Sequence, residues 1–440
     1  MSKRNKKIGL LSSSAFAVGA MIGGGVFVLS GLAIHKAGPA SIVSFLLAGV
    51  MVMFSAMSFA VIASMSSGEY SGYSMVGNLL GSKIWSFLTS WSFYLAGIIG
   101  AAFVLNAFGA YIHQFIISTK PAVMWALIGA LLMTLINLGP ASSIAKVENL
   151  LVGVKLCILI MLIVFGLAAI SPHDFHPFVV HGSSSILITS AYLFIAFLGF
   201  NVITNISSEI DNPKKTIPKA IILSMSLVTV VYVGVVIALL AANLSSYSEA
   251  SVGLAANKLI GPIGGGLIVA GALISTLSSA NANILGSSEI MVRMALDKQV
   301  PTVFGKMKRG HPYYSVIAGG VLYVVLILSG SAEAIVGLAN VTAIAALILV
   351  NLAAFNALRK KDYSGIKLPL GKVIPVLGAI GAGIQFLFMP ASYVGIGFAL
   401  ILAGLIAYAF RIYGHRPRAH EHLRQLFEES SGPLVRALKR

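Results

Sequence analysis

Apolar segments of about 20 residues recur from one end of the chain to the other, and they constrain its fold more than any other feature. Of the 440 residues, 58% are hydrophobic and only 10% are charged. Segments of this kind suit membrane-spanning helices, because hydrocarbon offers no partners to backbone polar groups and a helix bonds them internally. We predict an all-α polytopic membrane protein with twelve transmembrane helices, named spans 1 to 12, at roughly 9–34, 40–64, 84–117, 121–138, 147–170, 184–208, 217–242, 262–292, 313–330, 333–358, 371–390 and 392–412.

The basic residues predict the orientation of these spans. The net charge of +17 comes from short clusters between apolar segments, which argues against nucleic-acid binding. Of the 30 Lys and Arg residues, only Lys36, Lys120 and Lys258 fall on one side, and nearly all others fall on the other side. Because cytoplasmic loops carry the excess of Lys and Arg, we expect a multi-pass protein of the cell inner (plasma) membrane with both termini cytoplasmic. The ends are an N-terminus at 1–8 and a basic tail at 413–440, which faces anionic lipid or serves a regulatory partner.

Motifs for other chemistries do not appear. The segment "GIKLPLGKV" at 365–373 has five residues between its glycines, where a phosphate-binding loop has four, and it ends in valine. The only cysteine, Cys157, excludes an intramolecular disulfide. His173, Asp174, His176 and His181 share one proline-bearing loop, which we expect to be solvated and free of metal. We therefore expect no enzymatic activity, no ATP hydrolysis and no cofactor.

Two spans are interrupted by residues that disfavour a helix. Span 1 contains "GAMIGGGVFVLSG", with Gly19 and three consecutive glycines, Gly23, Gly24 and Gly25. Span 6 contains "FLGFNVITNISSE", in which Gly199 and Asn201 break an apolar run. Interruptions five spans apart are typical of transporters built from inverted repeats, with the substrate site beside the unwound backbone. This predicts one repeat at 9–170, a second at 184–358, and two further spans within 371–412. Close helix packing by small residues remains an alternative explanation of the glycines.

The interrupted backbone predicts a site for an α-amino acid. Amides at the start of the second half of span 1 would bind a carboxylate, because a helix N-terminus carries partial positive charge. Carbonyls at the end of the first half, with those of span 6, would accept an ammonium group. The candidate substrate-binding residues are Ala20, Met21, Ile22, Gly23, Gly24, Gly25, Phe197, Leu198, Phe200 and Asn201.

Three segments resemble a known family. "GAMIGGGVF", "FLGFNVITNISSEIDNPKKTIPKAI" and "NANILGSSEIMVRMALDKQVP" are similar to the signatures of spans 1, 6 and 8 in the amino acid-polyamine-organocation superfamily, and most of all in its ApcT-type proton-coupled amino acid permeases. The resemblance covers the first ten spans. It implies a LeuT-like fold, with spans 1–5 and 6–10 as inverted repeats and spans 1 and 6 broken, and transport by alternating access. Many relatives have an acidic residue where this chain has Asn201, so a neutral amino acid is the favoured substrate.

Lys155 lies in span 5, roughly 12 Å along the helix from its start. An ionisable group at that depth is a functional candidate. Burial disfavours its charged form and oxygen partners favour it, so a change of partners changes its affinity for a proton. The resemblance implies that the Lys155 ammonium takes the place of a sodium ion between spans 1 and 8. There it would bond a carbonyl near Gly19 and a hydroxyl of Ser278 or Ser279. Snorkelling to the interface is the alternative.

The leading hypothesis is proton-coupled transport of amino acids. An exchanger or exporter without proton coupling, a sodium symporter, a nutrient sensor that does not transport and a membrane enzyme are the competing functions. Lys155 argues against a sodium symporter, since a fixed positive charge repels a sodium ion.

Glu289 and Arg293, four residues apart in span 8, are expected to form an ion pair or an inner gate.

Overall fold

The computed structural model describes residues 8–65, 72–138, 144–201, 203, 210–308 and 311–413. The first helices are α1 (Leu10–Met21), α2 (Gly24–Ala37), α3 (Ser41–Met65), α4 (Gly72–Leu80), α5 (Lys83–Phe115), α6 (Ala122–Asn137), α7 (Ile144–Ala169) and α8 (Ser184–Tyr192). They are followed by α9 (Pro213–Ala241), α10 (Ser251–Ile260), α11 (Pro262–Leu296), α12 (Tyr313–Ser329), α13 (Ala332–Arg359), α14 (Val373–Leu387) and α15 (Ala391–Tyr413). Short 3₁₀ segments occur at Gly38–Ala40, Pro172–Phe175, Leu193–Phe197 and Thr302–Gly305.

The described chain is built from apolar helices, as the sequence predicts. Six helical segments are long and apolar enough to cross a membrane by length and composition, namely Gly24–Met65, Lys83–Phe115, Pro213–Ala241, Pro262–Leu296, Ala332–Arg359 and Ala391–Ile412. Other apolar helices of 10–17 residues lie between them. The count of twelve spans therefore stays a prediction. Residues 1–7 and 414–440, which belong to the predicted cytoplasmic ends, lie outside the described residues.

Helices α5 and α13 form the centre of the bundle. Helix α5 packs against α11, α13 and α6, and α13 also packs against α3 and α14. In contrast, α15 has most of its surface exposed, with large apolar side chains such as Phe410 and Leu402 pointing outward. An apolar outer surface of this kind suits contact with lipid, because hydrocarbon solvates it as well as a protein core does.

Polar residues inside the bundle join helices to one another. The Asn137 amide donates to Asn281 Oδ1 at 2.8 Å, and the Asn351 amide donates to Ser55 Oγ at 2.9 Å. Both bonds join two helices, as polar side chains within apolar spans commonly do. Near the start of α1, Ile8 pairs in parallel with Ile210, and the Asp211 amide donates to the Ile8 carbonyl at 2.9 Å. The beginning of α1 is thereby joined to the segment before α9.

Candidate functional site

The first span is broken between α1 and α2. The backbone leaves helical geometry at Ile22 (φ −75°, ψ 73°) and Gly23 (φ −110°, ψ −145°), and it resumes at Gly24. The Gly23 amide donates to the Met21 carbonyl at 2.8 Å. The Gly24 and Gly25 amides belong to the first turn of α2. N–H groups in the first turn of a helix have no acceptor within that helix.

The second interruption follows α8. After Tyr192 the chain forms the 3₁₀ segment Leu193–Phe197, becomes extended at Leu198 and reaches a φ of +126° at Gly199. Only glycine adopts such a value without strain. A Cβ placed on Gly199 would lie 2.9 Å from the carbonyl carbon of Ala20 and 3.0 Å from the Met21 nitrogen. The two interruptions are therefore in direct backbone contact.

Tyr232, on α9, joins both interruptions through one hydroxyl group. Its oxygen lies 2.7 Å from the Met21 carbonyl and 2.8 Å from the Ala196 carbonyl, and the residue has no exposed surface. Its ring packs against those of Phe45 and Phe197 at centroid distances of 5.5 and 5.3 Å. The sequence analysis did not single out Tyr232, because a tyrosine within an apolar span carries no signal of what its hydroxyl reaches.

A cavity of about 570 Å³ lies at the meeting point of the two interruptions. This volume is within the range of small-molecule sites. Seven of the ten candidate substrate-binding residues line it, namely Ala20, Met21, Gly23, Gly25, Leu198, Phe200 and Asn201. Ser279 also lines it, and a Cβ on Gly23 would collide with the Ser279 hydroxyl at 1.7 Å. The absence of a side chain at Gly23 is therefore what allows α11 to approach the break.

The other three candidates lie outside the cavity lining. The Ile22 carbonyl accepts from the Ser275 hydroxyl at 3.4 Å. A Cβ on Gly24 would meet Val104 at 2.7 Å, so this glycine serves close packing of α2 on α5. Phe197 is fully buried. The packing explanation of the glycines therefore holds for Gly24, whereas Gly23 and Gly25 also face the cavity.

Aromatic side chains form one wall of the cavity. Phe59, Tyr73, Phe93 and Phe200 contact one another at centroid distances between 5.0 and 6.1 Å. The Asn201 amide donates to the Tyr73 hydroxyl at 3.5 Å. Tyr73 lies on α4. Helix α4 thus contributes a ring to the cavity wall.

Another part of the lining comes from facing residues of α5 and α11. Gly97 and Gly100 on α5 face Asn283 and Ser287 on α11, since a Cβ on Gly97 would lie 2.1 Å from Ser287 Oγ and one on Gly100 would lie 3.6 Å from the Asn283 amide atoms. All four residues line the cavity. This wall combines small residues with uncharged hydrogen-bonding groups.

Charged residues line the cavity at one end. Lys214, Glu289 and Arg293 lie there, near the end of α3 and the start of α9. Burial raises the pKa of the neighbouring Asp297 carboxyl, and the positive charges of Arg293 and Lys83 partly offset that effect. Glu289 and Arg293 both line the cavity, and the ion pair between them stays a prediction.

Within the described residues, no group of three or more His, Cys, Asp and Glu side chains is arranged to hold a metal.

Lys155 lies inside the bundle, with 1% of its surface exposed. Its ammonium nitrogen donates to Ser278 Oγ at 3.2 Å, which joins α7 to α11. Gly19 is buried on α1, and α1 packs against α7. The bond between Lys155 and a carbonyl near Gly19 stays a prediction. Ser279, the next residue after the lysine's partner, is the one that contacts Gly23.

In the part of the chain that the structure describes, two interruptions of apolar helices border one cavity, an arrangement typical of multi-pass membrane transport proteins. The comparisons with known proteins agree with this class. The amino acid permease model matches residues 13–412, so the chain belongs to the amino acid permease family.

Relatives over nearly the full length are also named as transporters. The inner membrane transport protein YbaT of Escherichia coli is 28% identical, over 86% of this chain and 90% of its own. The branched-chain amino acid permease BcaP of Bacillus subtilis is 27% identical, over 92% of each chain. The methylthioribose transporter of Bacillus subtilis is 26% identical, over 89% of this chain and 90% of its own.

Proposed function

We propose that this permease transports neutral amino acids across the cytoplasmic membrane by alternating access and is coupled to protons through Lys155. The main support for this proposal is the contact of Gly199 with the Ala20–Met21 peptide, which brings the two interruptions together at one cavity. In this proposal, spans 1–5 and 6–10 are the two inverted repeats of a LeuT-like fold with twelve spans. Both termini are cytoplasmic.

The two half-helices of span 1 support a zwitterionic substrate. Helix α1 ends at the cavity with a partial negative charge, and α2 begins there with a partial positive charge. An α-amino acid carries an ammonium and a carboxylate on one carbon, so it matches both helix ends at once. The Ala20 carbonyl and the Gly25 amide, which both belong to residues of the cavity lining, are the backbone groups that we assign to this contact.

Uptake into vesicles tests the proposal. Purified protein in liposomes should accumulate a labelled amino acid when an inward proton gradient is imposed, and a sodium gradient alone should have no effect. Because one relative is named for methylthioribose, the panel includes that compound beside the twenty amino acids. Exchange without net accumulation would support the exchanger hypothesis. Binding without any flux would support a nutrient sensor.

Lys155→Ala tests the coupling step. The substitution removes the buried ammonium and the donor to Ser278. We expect proton-driven accumulation to fall at least 10-fold, while exchange of internal for external amino acid continues, because exchange needs no net proton movement. The matched control is Lys120→Ala, which removes an exposed lysine and should leave accumulation unchanged. Undiminished accumulation by the Lys155 variant would exclude this mechanism.

A further inference from the structure

Helix α11 presents three uncharged polar side chains to the cavity at a spacing of four residues. Ser279, Asn283 and Ser287 all line it, and positions four apart share one face of a helix. Ser279 contacts Gly23 at the break of the first span. Asn283 lies one turn further along, about 6 Å by helical rise. A substrate held by the start of α2 therefore has a carboxamide about one side-chain length away.

Gly100 presents no side chain to that carboxamide. A Cβ on Gly100 would come to 3.6 Å from both the nitrogen and the oxygen of the Asn283 amide, which is an ordinary contact distance. Asn283 is only partly buried, and Val104 follows Gly100 by one turn on the same face of α5. Asn283 therefore borders the cavity at a point where α5 has no side chain, and the gap between Gly100 and the amide is about one methyl group wide.

The surroundings of Asn283 select against two kinds of substrate side chain. The charged residues in the described lining are Lys214, Glu289 and Arg293, and Glu289, the nearest of them along α11, lies about 9 Å from Asn283 by helical rise. A charged substrate side chain beside Asn283 would be dehydrated without a counter-ion. A purely apolar side chain would cover the amide and leave its donors and acceptor unbonded, which a site built for hydrogen bonding penalises strongly.

We propose that Asn283 determines specificity, and that the permease prefers neutral amino acids whose side chain ends in a carboxamide, glutamine before asparagine. A carboxamide both donates and accepts, so it can pair with the Asn283 amide in both directions. Glutamine is the longer of the two and spans the turn between Ser279 and Asn283 more fully. This inference rests on the proposed function, because it places the substrate backbone at the start of α2.

Competing uptake of labelled glutamine and leucine by the reconstituted protein tests the assignment. The wild-type protein should transport glutamine at least 10-fold more efficiently than leucine, and Asn283→Leu should abolish or invert that ratio. The ratio is measured within one preparation, so a loss of folded protein cancels. Asn106→Leu is the matched control: the same change on α5, outside the cavity lining, should keep the wild-type ratio.

Two results would overturn the inference. One is a wild-type protein that prefers leucine, and the other is an Asn283→Leu variant that keeps the wild-type ratio. Failure of the proposed function has a different signature, which is the absence of both accumulation and exchange for every amino acid in the panel.

Gly100→Ala tests the position of the substrate side chain independently. The added methyl group fits at 3.6 Å from the Asn283 amide and fills the space in front of it. Glutamine uptake should fall several-fold more than asparagine uptake, because the longer side chain needs that space. Gly266→Ala, on α11 with no atom within 4 Å of the added carbon, is the control and should change neither rate. An equal fall for both amino acids would place the side chain elsewhere and overturn the assignment.

Discussion

At the scale of single residues, the Tyr232 hydroxyl has the most consequence for the site. It contacts two carbonyls that belong to different interrupted spans, those of Met21 and Ala196. One hydroxyl has a single hydrogen, so it satisfies the two acceptors jointly and not with one full bond each. The relative position of the two interruptions thus depends on a side chain from a third helix, α9.

Tyr232→Phe removes the hydroxyl and keeps the ring packing on Phe45 and Phe197. Two buried carbonyls lose a partner, which costs about 1–3 kcal/mol. We expect a lower melting temperature and a substrate KM at least 10-fold higher, because the carbonyls near the substrate are no longer held together. The control is Tyr314→Phe, which changes an exposed tyrosine on α12. An unchanged KM in the Tyr232 variant would show that the contact serves stability alone.

At the scale of elements, glycine allows the two broken helices to approach each other. Gly23 has ψ of −145° and contacts Ser279, and Gly199 has φ of +126° and contacts the Ala20–Met21 peptide. Neither position tolerates a Cβ, one because of a neighbouring side chain and the other because of backbone. Both glycines lie in non-helical backbone, so the roughly 1 kcal/mol that glycine costs a helix interior does not apply to them.

Gly199→Ala combines an unfavourable backbone conformation with a backbone collision. The positive φ alone costs about 1–3 kcal/mol, and the Ala20 carbonyl must also move. We expect uptake to be lost and the melting temperature to fall. Gly153→Ala is the matched control, since its Cβ would meet nothing within 4 Å and alanine favours a helix. A Gly199 variant that transports normally would show that the second interruption does not need this geometry.

At the scale of the whole molecule, the two ends of the bundle differ. Lys36 at the end of α2 forms an ion pair with Glu333 at the start of α13, and its ammonium lies 5.0 Å from the centre of the Tyr192 ring. Asn340 on α13 donates to the Tyr192 carbonyl at 2.7 Å. Helix α3 runs from that end to the opposite one, where Ser64 lines the cavity. The structure therefore ties α2, α8 and α13 together at the end away from the charged residues Lys214, Glu289 and Arg293.

Cysteine labelling tests the orientation of these ends. In a Cys157→Ser background, Lys361→Cys and Lys120→Cys each place one thiol at an exposed position. We expect an impermeant maleimide to label Lys120→Cys in intact cells and Lys361→Cys only in inside-out vesicles, because loops rich in Lys and Arg are cytoplasmic. The background chain alone should not react in either preparation. Labelling of both thiols from one side would contradict the predicted topology.

Much of the fold and part of the site could be predicted from the sequence. Apolar segments without hydrogen-bonding partners in hydrocarbon must become helices, and "GAMIGGGVF" and "FLGFN" are the places where two of them are interrupted. Lys155 is buried and donates to Ser278, and its role in proton coupling stays a prediction. The helices, the two interruptions and the depth of Lys155 depend on local composition, whereas the serine partner of Lys155 was implied by the resemblance.

Local composition did not reveal the partners of Tyr232 and Asn340, or that Asn283 faces the cavity. Each is one polar residue in a long helix, and its function depends on the direction it faces and on which helix lies opposite. Those directions follow from the packing of all helices together, because a hydrogen bond needs its two atoms within about 3 Å. The sequence by itself determined that this is a helical membrane protein in which two spans are interrupted. Only the tertiary structure decided that the two interruptions meet, because Ala20 and Gly199 are far apart in the sequence and come into contact only when the helices pack together.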